Sequence, residues 1–307
     1  MTKGIVVNTP YDDVFRTMLN DCSRLIIPVI NEIFCENYRG DEKIVFSPEI
    51  HFVNQQDGEE TKRITDSSFE IIGEKETKFL LECQSTADSS MLIRIFEYAT
   101  QIALDQGELE NNVLKVEIPR SAILFLCSNG ATPDKMTIEI KTPGGVNSFD
   151  VPVMKAQKYS IDDIFEKGLL FLIPFYIFSH ESRFQEYELD EDALKKLKIE
   201  YMEIVKRLDS LLESGSISVY TKKMIVEMSN KVVNHLAQKY DNVKEGVTSI
   251  MGGKVLEYEA KQILNEGKMK QAKETAQVLR EMGMNEESIA RAVNVSIGVL
   301  KEWFGTN

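Results

Sequence analysis

Three kinds of residue are scarce in this 307-residue chain, and each shortage narrows its chemistry. There are four cysteines and no Cys-x-x-Cys pair. The pattern therefore predicts free thiols in a reducing compartment rather than a disulfide framework. The three histidines, His51, His180 and His235, are far apart and show no zinc-ligand spacing. Positive charge is also short, with 36 Lys and Arg against 49 Asp and Glu, a net charge of −13. That balance argues against a passive nucleic-acid coat, which needs a basic face. It leaves room for a metal-dependent nuclease, whose clustered carboxylates let a cation supply the positive charge.

Long apolar runs are missing too. The longest, Gly168–Phe178, is broken by Pro174 and is too short to span a bilayer, so a buried helix is expected there and no membrane partner. The first residues show no apolar core followed by a cleavage site, and a cytoplasmic protein is expected. No Gly-x-Ser-x-Gly elbow or Gly-Lys-Ser/Thr loop is present.

What remains is ordinary soluble composition, 43% hydrophobic and 28% charged, enough for a real core. The acidity is uneven: residues 1–130 carry 12 basic and 22 acidic side chains, residues 251–307 eight of each.

Thr9-Pro10 reads as a helix start, and apolar spacing predicts a helix pair from Tyr11 to about Glu36, restarted or kinked at Pro28. Strand-like segments follow at Ile44–Phe52, Lys62–Ile72 and Thr77–Gln84, the last two forming a hairpin about Gly73. Ser89–Leu104 has helical periodicity, with Leu92, Ile95, Phe96, Ala99, Ile102 and Ala103 on one stripe. Ser121–Cys127 is uniformly apolar, as in a strand covered on both faces. Met136–Ile140 and Val146–Val153 read as a second hairpin. From Ser160 onward helices are expected over about 160–180, 190–213, 217–240 and 242–282, then a short helix pair over Asn285–Phe304. That pair reads as a helix–turn–helix for DNA or as a packing and oligomerisation module; Lys301 alone is basic on its second helix, which favours the latter.

The first hairpin carries the chemistry. With its turn centred on Glu74, facing residue numbers add up to 148, so Asp66 opposes Glu82 and Ser68 opposes Leu80. Alternation groups Asp66, Ser68 and Glu70 with Lys78, Leu80, Glu82 and Gln84; Phe69, Ile71, Phe79, Leu81 and Cys83 take the other face, expected to pack on helices. Facing carboxylates repel unless solvent, a proton or a cation intervenes. Mg²⁺ held by Asp66 and Glu82 resolves that repulsion, with Gln84 on the same face able to orient a water. The plain alternative is a polar, solvent-facing side of an antiparallel sheet.

Asp12-Asp13-Val14-Phe15-Arg16, Ile64-Thr65-Asp66, Leu81-Glu82-Cys83-Gln84 and the Arg94/Tyr98 pair resemble, in this order, the motifs of the bacterial recombination-promoting nuclease family, also described as PD-(D/E)XK nuclease family transposases. The apolar block Leu170–Phe178 and the stretch Glu266–Trp303 resemble the family's later segments. The resemblance implies an α/β fold with a PD-(D/E)XK restriction-endonuclease-like core (an αβββαβ mixed sheet) over residues 1–180, a helical region over 181–284 and a small helical tail over 285–307. It implies a Mg²⁺-dependent DNA endonuclease, with Mn²⁺ a substitute, in a recombination, mobile-element or phage-defence setting. Asp66 and Glu82 become metal ligands. Gln84 stands where many superfamily members have Lys, and it cannot carry that charge. Asp12, or Asp13 instead, becomes the N-terminal acid. Arg94 becomes a phosphate contact or a surface residue, and Tyr98 a ligand contact or a packing residue. DNA is the implied partner, with homo-oligomers through the C-terminal helices as a further expectation. The competing expectation is a catalytically inactive relative that binds DNA or protein as a regulatory module.

Overall fold

The computed structural model describes residues 10–46, 68–85, 90–252, 269, 272–293 and 295–304. Helix α1 (Pro10–Asp21) buries Val14, Phe15, Met18 and Leu19, the residues its spacing singles out. A 3₁₀ turn at Ser23–Leu25 leads into α2 (Ile26–Phe34), so Pro28 falls in the first turn, where its missing N–H leaves no bond unmade. Cys35 then closes α2 in the left-handed conformation.

Strands β1 (Lys43–Phe46), β2 (Ser68–Ile72) and β3 (Glu76–Gln84) form an antiparallel meander. The register of β2 on β3 is the expected one, with Ser68 opposite Leu80 and Glu70 opposite Lys78. Helix α3 (Met91–Asp105) crosses over. A small hairpin, β4 (Glu108–Glu110) and β5 (Val113–Lys115), turns on Asn111 and Asn112, both at positive φ. Such a pair is what a tight two-residue turn requires. Strand β6 (Arg120–Phe125) returns parallel to β3, and the hairpin of β7 (Lys135–Thr142) and β8 (Gly145–Lys155) adds β8 parallel to β6. The result is a six-stranded mixed sheet in the order β1-β2-β3-β6-β8-β7.

The sheet is covered on both faces. Phe69, Ile71, Phe79, Leu81, Cys83, Ala122 and Leu124 belong to a large core with α1 and α2. Leu80, Ile123, Phe125 and Val151 form a smaller core with Met91, Ile95, Tyr98, Ala99 and Ile102 of α3. The apolar face of the first hairpin thus packs on helices as expected. The opposite face is not an open polar surface: Leu80 is buried beneath α3, and Ser68, its partner across the strands, is buried as well. Leu80, set among Lys78, Glu82 and Gln84, is the residue that requires that cover.

A helical layer follows. The segment expected as one helix over 160–180 is split. α4 (Ile161–Glu166), opened by a Ser160–Asp163 capping box, stops before Gly168 at φ +68, and Leu170–Arg183 is a 3₁₀ helix. Pro174 lies within it, and proline both lacks an N–H donor and turns the preceding residue away from α geometry. The run Leu170–Phe175 is nonetheless fully buried, as its composition demands. Helices α5 (Phe184–Leu189), α6 (Glu191–Glu213), α7 (Val219–Leu236) and α8 (Asp241–Met251) come next. Their buried residues, Leu197, Tyr201, Ile225 and Val247 among them, join the same large core as α1 and the sheet. α8 ends at Met251, capped by Gly252, where a continuous helix was expected over 242–282; residues 272–281 are helical, and residues 253–268 lie outside the described residues. Helices Glu286–Ala292 and Ile297–Phe304 then build a separate small core of Ala276, Ile289, Ala290 and Leu300, so the expected terminal pair forms. No described helix is long and apolar enough to cross a membrane.

Candidate functional site

Because β3, β6 and β8 run parallel, their carboxyl ends emerge at one edge of the sheet, the edge at which open α/β sheets commonly bind ligands. Two transverse rows lead to it. Glu82 pairs with Ile123, which pairs with Val153; Gln84 pairs with Phe125, which pairs with Lys155. Side chains in one row point the same way, and Ile123 and Phe125 point toward α3. Glu82 and Gln84 therefore stand on the α3 face, half-buried at the end of β3. The Gln84 carbonyl accepts the Leu126 N–H at 2.8 Å, which fixes the strand end against β6.

The other predicted residues fall as follows. Asp66 lies outside the described residues. Asp12 is half-buried on α1, on the opposite face; there the Cys83 thiol is pushed well above its usual range, by burial first and then by the Asp12 and Glu82 carboxylates. Asp13 is exposed and turned away, 3.6 Å from Lys231 of α7. Arg94 is half-buried on α3, its Nη2 3.8 Å from Met91 Sδ and its Nε shielded from solvent. Tyr98 is 7% exposed and packs with Leu80 and Ile123. Glu82, Gln84, Arg94 and Tyr98 thus share one side of the sheet, while Asp12 approaches β3 from the other. Glu82 and Gln84 offer hard oxygen donors of the kind Mg²⁺ takes. Among the described residues, no group of three or more His, Cys, Asp or Glu side chains is close enough to hold a metal ion.

The same edge carries further polar groups not singled out from the sequence. Just past β6, Cys127 Sγ donates to Glu181 Oε2 at 3.1 Å. Burial, and then this hydrogen bond, push the thiol up to about 12, which leaves it a poor nucleophile. Gln157, just past β8, accepts the Ser128 N–H at 2.7 Å and donates to the Phe178 carbonyl at 2.8 Å, tying the strand ends to the 3₁₀ helix. Lys155, at the end of β8, is buried, and its Nζ donates to the Thr132 carbonyl at 2.5 Å and to Asp134 Oδ1 at 2.7 Å. Lys158 Nζ reaches the same Asp134 oxygen at 3.2 Å. Lys155 first, and then Lys158, hold the Asp134 carboxyl below its usual range. A signal was present in the sequence: Lys155 has the strand parity of Val151 and Val153, where an apolar residue is expected.

A groove of about 450 Å³ lies elsewhere, by the amino end of β6, lined by Ile33, Phe34, Ile118, Pro119 and Arg120. Arg120 is taken up there by Glu36 and lies over the Phe34 ring, 4.7 Å from its centroid.

No protein-family model, curated protein or solved structure matches the chain at a significant level.

Proposed function

We propose that the chain is a Mg²⁺-dependent DNA endonuclease built on a PD-(D/E)XK-like core, hydrolysing phosphodiester bonds at the carboxyl end of β3. The observation that carries this reading is the register of β2 on β3. Ser68 faces Leu80, as it must if the pairing that opposes Asp66 to Glu82 is correct. Supporting it is the element order α1, α2, β1, β2, β3, α3, β4, β5, β6, which contains the αβββαβ order of that core with α2 and the β4–β5 hairpin as additions, and which sets Glu82 and Gln84 beside β6.

In this reading Asp66 and Glu82 hold the cation, Mg²⁺ or Mn²⁺ in its place. When bound, the cation supplies Lewis-acid polarisation of the scissile phosphate and lowers the pKa of the attacking water. Gln84 orients that water or a phosphate oxygen through its neutral amide. Arg94 offers charge-assisted hydrogen bonds to a phosphate. Asp12 contributes negative charge from the α1 side. The water oxygen bonds to phosphorus as the bond to the leaving sugar oxygen breaks, in line. The nuclease-like part spans 1–180, and the setting implied by the family resemblance is bacterial recombination, mobile elements or phage defence.

Supercoiled plasmid incubated with Mg²⁺ tests this. Nicking that disappears with a chelator and in Asp66→Ala is the expected result. Equal nicking by both proteins, or none by the wild type with either Mg²⁺ or Mn²⁺, overturns it.

A further inference from the structure

The row that joins Gln84 to Phe125 and Lys155 places a buried lysine at the same edge, and on the same strand parity, as the uncharged glutamine. Two strand spacings separate the two backbones, roughly 10 Å. The Lys155 ammonium is fixed from two sides, by Asp134 and by the Thr132 carbonyl. Asp134 is 80% exposed and serves two lysines at once, and Lys158, the second, is 63% exposed. Two cations on one carboxylate leave a net charge of +1 within this cluster, in a chain whose total is −13. One structural explanation is that Asp134 merely neutralises Lys155; it does not account for Lys158, whose flexible chain is drawn to an already paired carboxylate in solvent.

Resting on the nuclease reading, we propose that Lys155 and Lys158, yoked by Asp134, form an anchor for a DNA backbone phosphate flanking the bond to be cut. Asp134 and the Thr132 carbonyl hold Lys155 in place, and Lys158 makes the contact. The anchor supplies, at the same sheet edge, positive charge that Gln84 cannot supply at the reacting centre. Such contacts fix the register of a duplex without reading its bases.

The test is binding of a fluorescein-labelled DNA duplex to the full chain by anisotropy, over a range of salt and without divalent cation, so that no cutting occurs. Lys158→Gln removes an exposed charge and leaves the pair of buried Lys155 with Asp134 in place. Lys141→Gln, at a more exposed site on β7, is the control. Loss of one phosphate contact lowers the slope of log K against log salt by about 0.9. The expected result is that decrease in Lys158→Gln and none in Lys141→Gln. An unchanged slope in Lys158→Gln, an equal change in both variants, or a wild type that does not bind DNA overturns the proposal. Wild type that binds with the predicted Lys158 dependence but never nicks plasmid with Mg²⁺ or Mn²⁺ supports the anchor and removes the nuclease reading. Wild type that nicks while Lys158→Gln keeps its slope does the reverse.

Discussion

The two layers that sandwich the sheet differ in size and in what they tolerate. On the α1 side, Phe79, Leu81 and Cys83 of β3 enter a core that continues through the 3₁₀ helix and α6 to α8. On the α3 side, Leu80 enters a smaller core with Ile95, Tyr98 and Ile123, and beyond it the same strand carries Glu82 and Gln84, half-buried. Toward α1 the strand buries Phe79, Leu81 and Cys83, while toward α3 it buries Leu80 alone and gives Lys78, Glu82 and Gln84 to polar positions. The difference shows where the fold can afford function: at the end of a strand, past the last residue needed for the smaller core.

The largest test of that contrast is Phe79→Ala. Phe79 is fully buried, with Phe34, Tyr38 and Phe69 around it at centroid distances of 5.3, 6.3 and 5.9 Å. Its truncation is expected to cost about 3–5 kcal/mol in urea unfolding. Leu80→Ala, next along the strand on the smaller core, should cost less, near the lower end of about 2–5 kcal/mol. Equal losses, or a larger one for Leu80, would break the comparison.

A smaller effect comes from the polar node within the larger layer. Glu200 of α6 accepts the Tyr176 hydroxyl at 2.7 Å and lies 3.1 Å from His180 Nε2, while His180 Nδ1 lies 2.8 Å from the Tyr187 hydroxyl. The His180 contact first, and then the Tyr176 hydroxyl, outweigh burial and hold the Glu200 carboxyl below its ordinary 4.5. A carboxyl so depressed stabilises the fold above pH 4.5, and that contribution fades as pH falls through its folded value. Wild type should therefore be more stable than Glu200→Gln at pH 7, and the gap should narrow steadily below pH 4.5 in thermal melts. A gap that is constant with pH would show that Glu200 acts by packing alone.

The sequence revealed these layers unevenly, for physical reasons. The pairing of Ser68 with Leu80 was legible because apolar and polar residues alternate on both strands about a short turn, and a slip of one residue would have turned Phe69 and Phe79 outward. The double cover of β6 was legible from the unbroken run Ala122–Phe125. The β4–β5 hairpin was not, since three-residue strands are too short to show a period; its signal was the Asn111-Asn112 pair. The split of residues 160–183 was hidden because an apolar run has no polar face to define a helix, although Gly168 and Pro174 marked the breaks. Of the candidate site, Glu82 and Gln84 were placed by alternation. Asp12 and Asp13 could not be told apart, because adjacent helix residues differ by about 100° and only packing shows which faces the sheet. Lys155 escaped because its partner Asp134 lies across a hairpin, in a loop with no period to read.

In the proposed nuclease, the polar end of β3 cuts DNA and is not needed for the fold. Glu82→Gln tests it most directly, because it keeps the size of a half-buried side chain and removes its charge. Plasmid nicking with Mg²⁺ should fall by roughly 10³-fold, a loss of about 4 kcal/mol in transition-state stabilisation, while the urea midpoint moves little. Undiminished Mg²⁺-dependent nicking by a folded Glu82→Gln protein would contradict it.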